Sequence, residues 1–174
     1  MYLMSCMVVT MAILLFWGQF RKKLKITTYE SPDQQVNYRR IKRVSLVFWL
    51  IFSLFGFMVI IYASLPELYF MFLPLDVFHH PFINSIGLLI VNMAIAWIVV
   101  AQLHIDKELF KYHRDMESLK AMELVSYSES MLLSGMLIFF LGIFITITNI
   151  VGMVLTLLGM VFFFKRRLHK DLAK

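Results

Sequence analysis

Few polar or ionisable side chains lie inside the apolar stretches of this chain, and this limits the chemistry available to it. The apolar stretches contain Asn92, Asn149, Gln102 near one end, and scattered serines and threonines. Ionisable residues within membrane segments usually mark a transport or proton path, so their scarcity argues against a carrier or a pump. For Asn92 the sequence predicts the more common role of an amide in a membrane segment, a hydrogen bond between helices.

The five histidines are the residues of this chain best suited by chemical type to bind haem or a metal ion. They fall on two sides of one apolar segment: His79 and His80 before it, then His104, His113 and His169 after it. Haem ligation by two histidines needs both imidazoles at one depth on facing helices, and this distribution argues against such a pair. Adjacent histidines also point apart, and a single cysteine supports neither a thiolate zinc site nor an internal disulfide. No metal site is predicted.

The composition is that of an integral membrane protein. Hydrophobic residues make up 60% of the 174 residues, 17 are phenylalanine, and the mean hydropathy is +0.77. Residues 131–164 carry no charge, and one helix of that length would run about 51 Å against a hydrocarbon core of about 30 Å. The polar break Thr146-Ile147-Thr148-Asn149 therefore predicts a hairpin. The glycines around it, spaced seven, ten and seven apart, predict close helix packing: Gly135, Gly142, Gly152 and Gly159.

The basic residues are concentrated beside the apolar stretches, which favours anionic lipid headgroups over nucleic acid as their partners. Eight of the seventeen lie in residues 21–43 and five follow residue 164. Short cytoplasmic loops are the basic ones. We therefore expect a multi-pass protein of the cell (inner) membrane, with the N-terminus outside and the C-terminus cytoplasmic. Residues 66–81 contain no Lys or Arg and should lie at the opposite interface.

The predicted fold is a single all-α membrane domain with five transmembrane helices, the last two forming a tight hairpin. The spans are placed at residues 2–20, 44–64, 82–103, 131–147 and 150–164, with a basic loop over 21–43. A cytoplasmic amphipathic helix is expected to continue out of the third span. Its apolar stripe, spaced four, three, four and three, consists of Ile105, Leu109, Tyr112, Met116 and Leu119. Such a stripe packs either on the bilayer surface or against the bundle.

Several short sequence segments in the C-terminal half, from about residue 83 to 172, occur in a recognisable order. They are Val100-Ala101-Gln102-Leu103-His104, Glu123-Leu124-Val125, the segment from Gly135 to Phe144, Asn149, Leu157-Leu158-Gly159 and Arg167-Leu168. Their order and spacing resemble the isoprenylcysteine carboxyl methyltransferase and phospholipid methyltransferase family, in its small bacterial membrane members. The five-span layout with a closing hairpin is also similar.

The resemblance implies where S-adenosylmethionine would be held. In that family Tyr-Ser-Arg-(His or Asn)-Pro-x-Tyr-x-Gly precedes the hairpin and Arg-x-Glu-Glu follows it, and these residues hold the cofactor. The matching positions here are Tyr127, Glu129, Ser130, Met131, Leu133 and Gly135 before the hairpin and Arg167, His169 and Lys170 after it. The arginine is thus replaced by Glu129, the proline by Met131, and the acidic pair by His169 and Lys170.

This pattern predicts a degenerate cofactor site, because charge reversal at both ends of a clamp places like charges against the cofactor. Three functions stay open. The chain is a degenerate family member that binds lipid or protein, an active methyltransferase on a lipid or prenyl-like substrate, or a small accessory subunit of a larger membrane complex. The expected partners are membrane lipids and other membrane proteins. No cofactor is expected, except S-adenosylmethionine if the activity is retained.

Overall fold

The chain folds into α-helices joined by short connections. A computed structural model describes residues 2–24, 32–75, 78, 80–115 and 118–171. Its elements, in chain order, are α1 (Tyr2–Leu24), α2 (Pro32–Ser64), a 3-10 helix (Pro66–Phe72), α3 (Pro81–Asp115), α4 (Ser118–Ile147) and α5 (Ile150–Asp171). Within these described ranges the only β-type pairing is one isolated bridge. The predicted all-α class is confirmed.

Three of the helices contain segments long and apolar enough to cross a membrane: Leu46–Ser64, Pro81–Ile105 and Ser130–Ile147. They have 19, 25 and 18 residues, which corresponds to about 27–38 Å of helix and so matches the hydrocarbon core. The apolar parts of α1 and α5 are shorter, Tyr2–Trp17 and Ile150–Lys165. The large side chains exposed on these helices are mostly apolar, as a surface in contact with lipid requires.

The basic stretch between the first two apolar segments is more helical than the sequence predicted. α1 extends to Leu24, and α2 begins at Pro32, so much of the expected loop over residues 21–43 is helix instead. Proline is favoured at the first position of a helix because it has no amide hydrogen that would need a partner and its φ is already helical. Pro32, within the predicted loop, is therefore the start of α2. Residues 25–31 lie outside the described part of the chain.

The charged stretch after the third apolar segment is divided between two helices. α3 continues out of its apolar segment as predicted, but it ends at Asp115, and α4 begins at Ser118. The predicted apolar stripe over residues 105–119 therefore does not lie on a single helix. Ile105 is buried and Lys107 is exposed. The side chains of residues 108–129 are outside the described part, so the amphipathic character of this region stays a prediction.

α3 and α4 form the closest helix pair in the bundle. A β-carbon added to Gly142 would lie 2.8 Å from Val91 Cγ2, and one added to Gly135 would lie 3.0 Å from Ile98 Cγ1. The two helices are antiparallel, because contacts later in α3 match positions earlier in α4. The buried face of α3 repeats at spacings of four and three, as in coiled coils: Gly87, Val91, Ala94, Ile98, Ala101 and Ile105.

α2 packs on another face of α4 through phenylalanine rings. Phe140 lies between Phe48 and Phe55, with ring centroids 6.1 Å and 5.2 Å away and interplanar angles of 27° and 13°. One turn away, Phe52 stacks on Phe139 at 5.9 Å. All five rings are almost completely buried, so they fill the centre of the bundle.

α1 packs against both α2 and α3. Met7 lies beside Gly56 of α2. The seven residues between α1 and α2 reach at most about 28 Å, so both helices must extend from this contact in the same direction, and their chain directions are antiparallel. The predicted interhelical hydrogen bond of Asn92 is confirmed, since its Oδ1 accepts from the Tyr2 hydroxyl at 2.9 Å.

Candidate functional site

The positions aligned with the first cofactor motif lie within uninterrupted helix. Residues 127–135 belong to α4 (Ser118–Ile147), so no turn is formed where the family has its proline. The Met131 carbonyl accepts hydrogen bonds from Trp97 Nε1 at 3.2 Å and from Ser134 Oγ at 2.8 Å. Ser130 and Met131 are partly buried. This part of α4 is thus bonded to α3 and to its own next turn.

Two further motif positions are used in helix packing. Leu133 is buried in the core cluster, and Gly135 is buried against α3, where an added β-carbon would lie 2.9 Å from Trp97 Cδ1. A glycine is needed here because a larger residue would push α3 away. The prediction that the glycines serve helix packing is confirmed at Gly135 and likewise at Gly142.

The remaining motif positions are helical, and their side chains lie outside the described part of the structure. Tyr127 and Glu129 belong to α4, whereas Arg167, His169 and Lys170 belong to α5. The connection between α4 and α5 consists of two residues, so the helices are antiparallel neighbours.

A polar cluster joins α2 and the 3-10 helix to α4 and α5 at the end of the bundle where α4 meets α5. We call it the clasp, and it consists of Met58, Tyr69, residues 73–75 and residues 148–150. Asn149 is its centre and is completely buried. Its Oδ1 accepts from the Gly152 amide at 2.6 Å, and its Nδ2 donates to the Tyr69 hydroxyl at 3.1 Å and to Met58 Sδ at 3.0 Å. One side chain therefore caps α5 and ties it to α2 and the 3-10 helix.

The backbone completes the clasp. The Leu75 amide donates to the Thr148 carbonyl at 2.9 Å, and the Ile150 amide donates to the Leu73 carbonyl at 3.1 Å. These two bonds make the isolated β-bridge between Pro74 and Asn149. The Tyr69 hydroxyl also donates to the Ile147 carbonyl at 2.6 Å. The carbonyl groups of Ile147 and Thr148, at the C-terminal end of α4, thus have hydrogen-bond partners within the protein. An apolar environment requires such partners because it supplies no water.

Two non-glycine residues of the clasp have left-handed backbones. Leu73 has φ of 54° and Thr148 has φ of 48°. Such a conformation is especially uncommon for Thr148, which is branched at its β-carbon. A left-handed residue is nevertheless a usual way to end a helix, and Thr148 directly follows α4. The Thr148 amide donates to Phe144 at 2.7 Å, and the bridge holds both residues in place.

The clasp is built for structure and contains only neutral groups: an amide, a phenol, a hydroxyl, a thioether and peptide bonds. The sequence correctly predicted the hairpin break at residues 146–149. It did not reveal the partners, Tyr69 and Met58, which lie 80 and 91 residues away from Asn149. In the sequence, only the aromatic character of residues 69–72 indicated that the segment of Tyr69 contributes to packing. In α3, Asn84 Oδ1 is buried without a hydrogen-bond partner.

A shallow groove lies on the outward face of α2. It has a volume of about 340 Å³ and is lined by Leu46, Trp49, Leu50, Ser53 and Leu54. Leu46 and Leu50 are more than half exposed. The Ser53 hydroxyl donates to the Trp49 carbonyl at 2.9 Å, so the groove offers an almost wholly apolar wall.

Metal-ligating residues do not converge within the described ranges. No group of three histidine, cysteine, aspartate or glutamate side chains among the described residues could hold a metal ion. His80 Nδ1 instead accepts from the Phe82 amide at 3.3 Å, at the start of α3. Cys6 is a free, buried thiol.

Comparison with known proteins identifies no relative: no family model, no curated protein and no solved structure matches the chain.

Proposed function

We propose that this chain is an integral membrane protein with a fold like that of the isoprenylcysteine and phospholipid methyltransferases, and that it binds lipids or another membrane protein without transferring methyl groups. The observation that carries the proposal is the packing of α4. Gly135 contacts α3 and the Met131 carbonyl is hydrogen-bonded to Trp97. Positions that hold a cofactor in the family are occupied here by contacts between helices.

The proposal includes five membrane crossings. The short apolar parts of α1 and α5 complete the bundle around the three longer segments, with the basic ends of α1, α2 and α5 in the cytoplasm. Single cysteines placed at exposed Phe70 or Phe78 should react with an impermeant maleimide added to intact cells, whereas cysteines at Tyr38 or Lys120 should not. Cys6 is replaced by serine in every variant. Reversed labelling would overturn the orientation.

The enzymatic alternative is tested by titration calorimetry of the purified protein with S-adenosylmethionine and with S-adenosylhomocysteine. We expect no binding at micromolar concentration, because the cofactor carboxylate would meet Glu129 and its positive charges would meet Lys170. Loss of one partner of a buried charged contact costs about 2–5 kcal/mol, or about 30-fold or more in affinity. Saturable low-micromolar binding would instead establish a working cofactor site.

A matched variant sharpens this test. Glu129→Arg alone should not create binding, because the acidic end of the clamp and the proline turn remain absent. If that single change produced saturable binding, the helical backbone at residues 127–135 would be no obstacle to the cofactor, and the degenerate site would be one substitution away from function.

A further inference from the structure

Asn92 is an amide on the outward face of α3, near the middle of its apolar segment. It lies 11 residues after Pro81 and 13 residues before Ile105, the two ends of that segment, which is about 17 Å and 20 Å along the helix axis. Its side chain is nevertheless exposed. A polar group that faces lipid tails at this depth has no hydrogen-bond partner in its surroundings.

The Asn92 amide uses only part of its hydrogen-bonding capacity. A side-chain amide has two N–H donors and an oxygen with two lone pairs. Among the described residues, Asn92 Nδ2 donates one bond, to the Leu88 carbonyl at 2.9 Å, and Oδ1 accepts one bond, from the Tyr2 hydroxyl at 2.9 Å. One N–H and one lone pair therefore remain on an amide that is exposed to lipid.

Other polar side chains in the apolar segments are bonded more completely. Asn149 donates both of its N–H groups to partners in the clasp. Ser53 and Ser85 are exposed, but each has a single donor and directs it to a carbonyl of its own helix. Asn92 differs from these three because it keeps an unused donor on the lipid-facing surface.

Asn92 belongs to a regular face of α3 that we call the outer seam. Its residues follow one another at spacings of four and three, the pattern of helices that pair in parallel coiled coils: Ser85, Leu89, Asn92, Ala96, Val99 and Leu103. Val99 is partly buried and the other five are exposed. At 100° per residue, the seam is centred about 180° from the face of α3 that packs on α4. α1 reaches only the edge of the seam, where Tyr2 bonds Asn92 and leaves it exposed.

The unused groups of Asn92 identify a second copy of the chain as the occupant of the seam. Lipid tails offer neither a donor nor an acceptor, whereas an amide carries both and is complementary to itself. Copies of one membrane protein insert with the same orientation. A two-fold axis along the membrane normal then places the same residue of both copies at the same depth. Two Asn92 amides can therefore meet and form two reciprocal hydrogen bonds.

We propose that the protein forms a parallel homodimer through the outer seam of α3, held by reciprocal hydrogen bonds between the Asn92 amides of the two copies. Leu89 and Ala96 lie on either side of this pair. The small side chain of Ala96 allows the two helices to approach closely, and Leu89 supplies apolar contact. The inference goes beyond the proposed function and shares with it only the membrane crossing of α3.

Energy transfer between labelled copies measures self-association of the full-length protein in phosphatidylcholine vesicles. Donor and acceptor fluorophores are attached to Phe70→Cys, at an exposed position of the 3-10 helix, in the Cys6→Ser background. We expect Asn92→Leu to weaken the apparent affinity about tenfold, because two reciprocal hydrogen bonds of average strength in membranes correspond to roughly that factor. Asn92→Gln keeps the amide and should retain most of the affinity. Unchanged affinity in Asn92→Leu would overturn the proposal.

Tyr2→Phe is the matched control, because Asn92→Leu also removes the hydrogen bond from Tyr2. The control breaks that bond within one copy and leaves the amide free to pair with the second copy. Self-association of Tyr2→Phe should therefore be unchanged or stronger. If Tyr2→Phe weakened it as much as Asn92→Leu, Asn92 would act by holding α1 in place, and the proposed pairing of amides would be wrong.

Disulfide cross-linking tests the seam without changing Asn92, so it remains informative if Asn92→Leu fails to fold. Single cysteines at Ser85 and at Ile86 are compared in oxidised membranes, again with Cys6→Ser. Ser85 lies on the seam, whereas Ile86 is also exposed at nearly the same depth but points 100° away. Ser85→Cys should form linked dimers and Ile86→Cys should not, because a disulfide requires the two β-carbons to lie close together. Equal cross-linking at both positions would overturn the proposal.

A protein that shows only the energy transfer of random proximity at every protein-to-lipid ratio would also overturn the proposal, and the seam would then face lipid or a different protein. Neither experiment depends on S-adenosylmethionine. Cofactor binding in the calorimetric titration would overturn the proposed function and leave the dimer standing. A monomeric protein that binds no cofactor would overturn the dimer and leave the proposed function standing.

Discussion

Helix α4 packs against α3 and against α2 in two contrasting ways. Toward α3 it presents glycines, and the backbones approach so closely that a β-carbon at Gly142 would lie 2.9 Å from the Val91 amide nitrogen. Toward α2 it presents Phe139 and Phe140, whose rings keep the helices farther apart and stack on three rings of α2. One helix thus combines backbone-to-backbone packing with side-chain packing.

The difference matters because apolar burial gives little driving force between helices surrounded by lipid tails. The glycine interface depends on close approach of the two helices and tolerates no added volume. An added side chain would meet backbone atoms of α3, which cannot move aside without moving the whole helix. The phenylalanine interface depends on the volume and shape of side chains, which can change rotamer. We therefore expect enlargement to damage the first interface and truncation to damage the second.

The largest effect is expected for Gly142→Leu. The new side chain would meet both Val91 and the Gly87 carbonyl oxygen, which lies 3.1 Å from the added β-carbon. Separating α3 from α4 should cost about 3 kcal/mol or more, at the upper end for overpacking. Thermal unfolding of the detergent-purified protein, followed by tryptophan fluorescence, measures this loss.

Gly56→Ala is the matched control for a glycine in a helix. The added β-carbon would meet only the flexible end of Met7, at 3.4 Å, and alanine favours a helix over glycine by about 1 kcal/mol. Stability should be unchanged or slightly higher. If Gly56→Ala destabilised the protein as much as Gly142→Leu, the special role of the α3–α4 interface would be wrong.

Asn149→Leu should have the next largest effect, about 2–3 kcal/mol, because it removes the cap of α5 and leaves the Gly152 amide unpaired. Combination with Tyr69→Phe in a double-mutant cycle measures how strongly the two side chains are coupled. We expect a coupling energy of about 1 kcal/mol. Strict additivity would mean that the 3.1 Å hydrogen bond does not contribute to the clasp.

Phe140→Leu should cost less, about 1–2 kcal/mol, because leucine refills part of the space between Phe48 and Phe55 but loses both stacked contacts. Phe162→Leu, at an exposed position of α5, is the control and should be close to neutral. A larger loss for Phe140→Leu than for Gly142→Leu would reverse the comparison between the two faces.

Tyr2→Phe is expected to have the smallest effect. The phenol bonds Asn92 at an exposed site, and hydrogen bonds between membrane helices average about 0.6 kcal/mol. The measurement is the shift in the thermal midpoint, with Asn92→Ala as a second route to the same loss. Similar losses from both changes, without additivity in the double variant, would identify this bond as their common cause.

The comparison also shows what could be predicted from the sequence. The α4–α5 hairpin was predictable because Thr146 to Asn149 are the only polar cluster in a long apolar run, and α4 ends at Ile147 as expected. The roles of Gly135 and Gly142 were predictable because small residues at seven-residue spacing favour close helix packing. Asn92 likewise followed from the usual role of a membrane amide.

The starts of α2 and α4 could not be predicted from local charge. A basic stretch looks like a loop when membrane spans are the only helices considered, but Pro32 is a favourable first helical residue. The clasp could not be predicted from the sequence for another reason. Tyr69 and Asn149 are ordinary residues in separate segments, and only the folded bundle brings them together. The motif positions from 127 to 135 were visible in the sequence, whereas their use in packing on α3 was not.

The clasp has a consequence for biosynthesis. Residue 75 leaves the ribosome 73 residues before its partner, residue 148, which is about 4–15 s earlier at ordinary rates of translation. During that interval the segment after α2 has no partner for its Leu75 amide or Leu73 carbonyl in the β-bridge. The two halves of the chain are locked together only when the last hairpin arrives. Insertion of α4 and α5 is thus the step that closes the clasp, and we expect a chain arrested before residue 148 to leave the Leu73 carbonyl and the Leu75 amide without these partners.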